Sequence, residues 1–226
     1  MPFQIAIDGP AGAGKSTVAR RVSRALGFTY LDTGAMYRSL AWKALQHGID
    51  PNDVLTLEAT AQGLVIEFSP LQDDGTQQVT VDGEDVTTVI RMPEVSDLTS
   101  RISAIATVRS VIVDQQRRIA KSATQGVVLE GRDIGTVVFP DAVLKIFLTA
   151  GPEERARRRV EEMRCRGLEV DAAKTLADLI ERDERDSSRE TSPLTMAEDA
   201  VALETDGVDA DEVVRRILVL WQERSA

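Results

Sequence analysis

The sequence predicts an α/β fold in which a parallel β-sheet is flanked by helices on both faces. Three observations predict it. Short apolar runs alternate with segments of helical periodicity along nearly the whole chain. Several of those runs, such as Val127-Val128-Leu129, lack the in-out alternation of a half-exposed strand and read as strands buried on both faces. No internal repeat, low-complexity tract or long flexible linker divides the chain, so one core with insertions is expected.

Taken in order, Phe3 to Asp8 is a buried strand and Gly9 to Gly14 a loop. A helix follows from Lys15, with Val18, Val22, Ala25 and Leu26 at helical spacing and Gly27 as its stop. Phe28 to Asp32 is a second strand, and Ala35 to His47 a helix closed by Gly48. Asp50-Pro51-Asn52-Asp53 predicts a further helix start, with a cap, Pro in the first turn and acid at the positive dipole end, running to about Gln62. The pattern then changes. Leu64–Phe68, Gln77–Val81 and Glu84–Thr87 are short β-like runs separated by turn residues, which predict a small antiparallel insertion at about 63–90. Helical spacing resumes over Pro93–Ile102 and Val108–Lys121. Gly126–Glu130 and Val143–Leu148 are strands, Glu153–Arg166 and Ala172–Ser187 charged helices, and Val201–Glu204 a last strand. Asp209 caps a final amphipathic helix through Trp221.

Composition removes several function classes. The 226 residues contain one cysteine, Cys165, and one histidine, His47. An internal disulfide framework and a zinc site of Cys and His ligands are both excluded. A Ser-His-Asp or Cys-His system would have to use His47, which lies in a helical segment without suitable neighbours. The N-terminus lacks a signal-peptide pattern, and Asp141 and Lys145 interrupt the longest apolar stretch, so a cytoplasmic protein with no membrane span is expected. The formal net charge of −10 argues against a nucleic-acid partner. Yet arginine far outnumbers lysine, and six arginines fall within Arg155–Arg166. Arginine grips phosphate with a planar fork, so such a concentration suggests local anion sites, although a solvated helix face has the same pattern.

Gly9-Pro10-Ala11-Gly12-Ala13-Gly14-Lys15-Ser16 satisfies G-x-x-x-x-G-K-[ST] between a strand and a helix start. The glycines let backbone N–H groups converge on an anion, and the helix N-terminus adds its partial positive charge. Lys15 reaches the β- and γ-phosphates and the Ser16 hydroxyl supplies a ligand for Mg²⁺, with Thr17 completing the ATP-binding segment. The dinucleotide pattern G-x-G-x-x-G fails at Thr17, and no guanine-reading Asn/Thr-Lys-x-Asp occurs. Arg38, just after the second strand, and Arg132, at the end of the strand through Glu130, face the loop across the crevice where open α/β sheets bind ligands. Two arginines there suit a second, phosphate-bearing substrate.

These residues make the family recognisable. Ile7–Ser16, Leu31-Asp32-Thr33-Gly34-Ala35-Met36-Tyr37-Arg38, Glu130–Ala142, Lys145–Leu148 and Glu181–Asp186 together resemble the bacterial cytidylate kinases, a nucleoside monophosphate kinase family. The resemblance implies one domain over 1–226 with a phosphate-loop NTPase core. It also implies a monophosphate-binding insertion at about 63–90 and a helical lid at about 153–167. It implies transfer of the γ-phosphoryl of ATP, with Mg²⁺, to CMP or dCMP, in pyrimidine nucleotide metabolism. Carried over by motif, Arg38 and Arg132 hold the acceptor phosphate. Thr33, Ser100, Arg109, Asp133 and Arg189 surround the cytosine, while Arg182 and Asp186 address the ribose. Lys15, Arg132 and the lid arginines Arg155 and Arg159 supply positive charge to the transferring group. The family often has Ser where Thr33 stands, which keeps the hydroxyl. By spacing alone Arg182, Arg185 and Asp186 also fit salt-bridged positions on a solvated helix, and Tyr37, Trp42 and Trp221 fit packing roles. A monomer is expected. The open alternatives are another small-molecule or nucleoside monophosphate kinase with the same loop, and a regulatory or RNA-associated ATPase, which the acidic charge disfavours.

Overall fold

The computed structural model describes residues 2–165 and 167–225. Five parallel strands form the central sheet: β1 (Phe3–Asp8), β2 (Thr29–Asp32), β6 (Gly126–Gly131), β7 (Leu144–Thr149) and β8 (Val201–Glu204). Their spatial order is β2-β6-β1-β7-β8, so β1 lies between β6 and β7. The chain runs from β1 out to β2, returns to β6, then crosses to β7, which makes the carboxyl end of β1 the point where the winding reverses.

Alternation along each strand assigns the faces. Ile5, Ile7 and Val128 point into the core that helices α1 (Lys15–Leu26) and α8 (Ala210–Ser225) cover through Val18, Val22, Ile217 and Trp221. Ala6, Val127 and Leu129 point the other way, under α2 (Thr33–Gln46), α3 (Val54–Gly63), α4 (Pro93–Ile102) and α5 (Ala106–Lys121). Trp221 ties the first face together, its indole edge-on to both Phe3 and Phe28. The insertion is an antiparallel sheet of β3 (Ile66–Phe68), β4 (Val79–Val81) and β5 (Glu84–Asp85), ordered as in the chain. Asp82 and Gly83, both at positive φ, close the β4–β5 hairpin. The charged helices α6 (Pro152–Cys165) and α7 (Ala172–Ser188) stand over the carboxyl end of the sheet and pack on each other. Among the described residues no helix is long and apolar enough to cross a membrane.

Most element boundaries match the sequence reading to within about two residues. The helix expected from Asp50 is an exception, since α3 begins at Val54. Both aspartates have capping chemistry, but the Asp53 carboxylate captures the Thr56 amide and hydroxyl, at 3.1 and 2.6 Å. Asp50 instead accepts from the Asn52 amide, and Pro51 sits in the intervening turn. Arg166, expected in the sixth helix, lies outside the described residues. Two short elements carry no periodic signal: a 3₁₀ turn at Val89–Arg91 and a π-helical turn at Ile134–Val138. The π turn is made by tertiary contact. The Asp8 carboxylate, at the end of β1, accepts the Ile134 and Gly135 amides at 2.9 and 2.7 Å.

Burial pushes the Asp8 carboxyl up to about 6, against the opposing pull of those two amides. The native chain therefore holds a proton between pH 4 and 6 that the unfolded chain has released, so Asp8 subtracts stability as pH rises through that window. Each tenfold difference in proton affinity between the folded and unfolded chain is worth about 1.4 kcal/mol. Wild type should therefore lose up to about 3 kcal/mol relative to Asp8→Asn between pH 4 and 6. Urea titrations of both proteins at pH 4, 5, 6 and 7 check this; a constant difference across the range rejects it.

Candidate functional site

The parallel register places the chemistry on one edge. Asp32 lies beside Glu130 in the β2–β6 pair, and Asp8 beside Gly131 in the β1–β6 pair. Three carboxylates thereby end three adjacent strands, all buried. The phosphate loop follows β1, with Gly9, Gly12 and Gly14 all at positive φ. Gly9 is required twice over, because a Cβ there would stand 2.1 Å from the Leu148 carbonyl oxygen of β7. The Lys15 amine turns back to donate to the Pro10 carbonyl at 2.6 Å. Burial drives its pKa well below the usual lysine range, and the arginines Arg132 and Arg182 push the same way, against Glu130 and Asp8. An anion in the loop would relieve all of that.

The Ser16 hydroxyl donates to Glu130 Oε2 at 2.8 Å, and the Tyr30 hydroxyl donates to Glu130 Oε1. Burial, and next the Asp32 charge, raise the Glu130 pKa. Asp32 caps α2 through the Ala35 amide at 2.8 Å and faces two guanidiniums, Arg38 at 2.7 Å and Arg91 at 3.4 Å. Arg132 donates to Asp186 at 2.9 Å. Arg182, half-buried and with no partner for Nε among the described residues, is depressed to about 10 by burial first and then by Arg132, with Arg38 and Arg159 adding to it. Lys15 lies within electrostatic reach of Arg132 and Arg182, and Arg182 within reach of Arg132, Arg38 and Arg159.

Beside this crevice lies a second, drier group. Arg109 and Asp133 form a buried ion pair, and Arg109 also donates to the Ser103 carbonyl at 2.9 Å. The Arg109 guanidinium sits 5.3 Å over the Tyr37 ring, so Tyr37 packs as expected but also bounds this group. Arg189 approaches Asp133 to 4.0 Å. The Ser100 hydroxyl and Arg109 Nε are buried without hydrogen-bond partners among the described residues. Thr33 is committed to the Glu130 carbonyl at 2.6 Å.

The helix-α6 arginines divide. Arg155 is buried and structural in this conformation: it donates to the carbonyls of Ala150 and Ala11, at 2.9 and 3.1 Å, and pairs with Asp183 of α7 at 2.6 Å. It thus ties the phosphate loop to α6 and α7. Arg158 donates to Thr205 and pairs with Glu154. Arg159 pairs with Glu162 and faces Arg182. An open cleft lined by Ala13, Gly14, Thr17, Arg158, Thr205 and Val208 continues from the loop.

The solvated-helix alternative holds for Arg185, which pairs with Glu181, and fails for Asp186, which is buried on Arg132. Sequence reasoning did not single out Glu130, Asp32, Arg91, Tyr30 or Asp183. For Glu130 and Asp32 a signal existed, a carboxylate ending each apolar strand run. Arg91 and Asp183 lie on segments whose neighbours only the folded chain reveals.

The chain is 48% identical over 223 residues to the bifunctional pantoate ligase/cytidylate kinase of Synechococcus sp. (strain WH7803), covering 98% of this chain and 45% of that one. It is 50% identical over 223 residues to the protein of the same name from Synechococcus elongatus (strain ATCC 33912 / PCC 7942 / FACHB-805), covering 97% of this chain and 42% of that one. The chain thus spans less than half the length of these curated relatives. Among solved structures, a gluconokinase from Sinorhizobium meliloti 1021 shares the fold, with a TM-score of 0.50 at 17% identity, over 99% of this chain and 94% of that one. An uncharacterized protein from Eubacterium ventriosum ATCC 27560 gives a TM-score of 0.54 at 14% identity, over 99% and 100%. The sequence profile of the family described as cytidylate kinase matches residues 5–223, and the chain belongs to that family.

Proposed function

We propose that the chain transfers the γ-phosphoryl group of ATP to CMP or dCMP, giving ADP and CDP or dCDP. The observation that carries this reading is the adjacency of two recognition problems: a run of cations that leads from Lys15 of the phosphate loop through Arg132 and Arg182 to Arg38 and Arg159, and the buried pair of Arg109 with Asp133, the residue after Arg132. The first demands phosphates from two substrates, and the second offers one carboxylate and one fork of donors to a base.

In this reading ATP lies along Gly9–Thr17, with its nucleoside toward Arg158 and Thr205. The acceptor phosphate exchanges for carboxylate contacts on Arg38 and Arg132, and Arg182 and Asp186 face the ribose. Mg²⁺ suits the oxygen donors present, since the Ser16 hydroxyl is braced by Glu130 with Asp32 nearby. Once bound, the ion supplies charge to the β- and γ-phosphate oxygens. The acceptor oxygen forms a bond to the γ-phosphorus as the bond to the β,γ-bridging oxygen breaks, and ADP leaves. The acceptor is already an anion, so no general base is needed. Lys15, Arg132 and Arg159 neutralise charge on the moving group, and Arg155 fixes the loop they surround. The insertion at 63–90 and the lid at 153–167 close over the substrates and exclude water, which would otherwise compete as acceptor. Screening nucleoside monophosphates, shikimate and gluconate as acceptors with ATP and Mg²⁺ tests the assignment. Turnover confined to a sugar or acid acceptor rejects it.

Kinetics and exchange test the parts separately. Lys15→Ala should keep the fold and reduce turnover at least about 10²-fold, the scale of one preorganised electrostatic group; near-normal turnover sinks the phosphate-loop reading. Cytosine presents an amino donor and a bare ring nitrogen, matching the Asp133 carboxylate and the Arg109 donors, whereas uracil opposes like to like. Steady-state kinetics should give kcat/KM for CMP at least about 10-fold above UMP, or about 1.4 kcal/mol. Asp133→Ala should erode that preference along with activity, and Arg132→Ala should depress both nucleotides alike. Equal efficiencies in wild type discard the cytosine assignment alone. Finally, amide hydrogen exchange over 153–165 should slow when nucleotide pairs are added, and unchanged protection refutes closure of the lid.

A further inference from the structure

Behind the phosphate loop, one side chain remains that the reaction does not touch and that nothing above employs. Tyr30 is on β2, buried to 3% exposure, with its ring packed among core residues of the α1 face. Its hydroxyl is the second donor on Glu130, while Ser16 is the first, and the two donors occupy opposite oxygens of one carboxylate. Tyr30 is held from three directions. Its backbone pairs with Val128 in the sheet, its carbonyl accepts from the insertion's Gln77 at 3.2 Å, and the Arg20 guanidinium stands 5.5 Å over its ring. Gln77 is itself buried and donates to Ser69 as well, so β2's outer edge is capped by the insertion.

From this chain of contacts we infer that Tyr30 is a positioning residue for the divalent-cation site, acting through Glu130 on the hydroxyl of Ser16. This rests on the phosphate-loop reading above and extends it. A serine hydroxyl rotates freely unless its proton is claimed. When Glu130 Oε2 accepts that proton, the oxygen lone pairs of Ser16 are left aimed away from the carboxylate, available to a cation. Glu130 can do so only if its own carboxyl plane is fixed. It has three side-chain torsions and ends the strand beside Asp32, whose charge repels it. The Tyr30 hydroxyl fixes that plane by holding the far oxygen. Groups one layer removed from a ligand set its orientation and change metal affinity when lost, and here the brace is two layers deep.

The variant Tyr30→Phe keeps the ring and removes only the donor. Mn²⁺ serves as the probe, titrated by electron paramagnetic resonance into the protein–ADP complex, with ADP affinity in EDTA measured by calorimetry on the same samples. The expected result is an Mn²⁺ dissociation constant at least about threefold higher in Tyr30→Phe, with metal-free ADP affinity unchanged. Glu130→Gln, which cannot accept from both hydroxyls in the same way, should weaken Mn²⁺ at least as much. Equal Mn²⁺ affinity in wild type and Tyr30→Phe overturns the inference, as does a loss of ADP affinity in EDTA matching the loss of Mn²⁺, which marks a general structural role. If wild type itself binds no ADP, the phosphate-loop reading fails instead, so the two failures are distinct.

Discussion

Arg182 stands within electrostatic reach of Arg38, Arg132 and Arg159, and Arg132 and Arg182 both bear on the buried Lys15, so their mutual repulsion has to be met from within the fold. The structure meets it with carboxylates placed one by one. Asp32 faces Arg38 and Arg91, Asp186 faces Arg132, Asp133 faces Arg109, and Glu130 with Asp8 stands near Lys15. Lone buried charges would be too costly to fold, whereas paired ones come close to balancing desolvation against attraction. Each such pair also waits in a form that an anion can replace. Burial first, and Arg132 next, depress the pKa values of Lys15 and Arg182.

The carboxylates can stand there only because the sheet is parallel. Parallel pairing delivers the ends of β1, β2 and β6 to one edge, so Asp8, Asp32 and Glu130 arrive together although they are far apart in sequence. Asp8 then organises the π turn after β6, which presents Arg132 and Asp133 to opposite sides of the site. Gly9 lets β7 approach closely enough to seat the loop. Helix α6 joins the same network, since Arg155 reaches both Ala11 of the phosphate loop and Asp183 of α7.

Net charge misleads at this scale. The chain carries −10 overall, yet Lys15, Arg132 and Arg182 gather within electrostatic reach of one another. Acidic residues on exposed helix faces, such as Glu161 and Glu212, pair with nearby arginines and are worth little in energy.

By itself the sequence determined the layered architecture, because apolar strand runs, helical spacing and glycine stops are local signals. It also determined the phosphate loop, whose glycines and Lys15 lie within eight consecutive residues. The antiparallel insertion was legible from Asp82-Gly83, where two positive-φ positions demand a tight hairpin. Arg38, Arg132 and Asp133 were legible as candidate site residues, but not as a network. Only the tertiary structure decided that Asp186 meets Arg132 and not its own helix neighbours, that Arg91 shares Asp32 with Arg38, and that Arg155 is a buried tie. It also chose Asp53 over Asp50 as the cap of α3. The reason is the same in each case. Charge pairs and caps are selected by competition among several chemically equivalent partners, and what settles the competition is distance in three dimensions, which strand register and helix packing set and spacing along the chain does not.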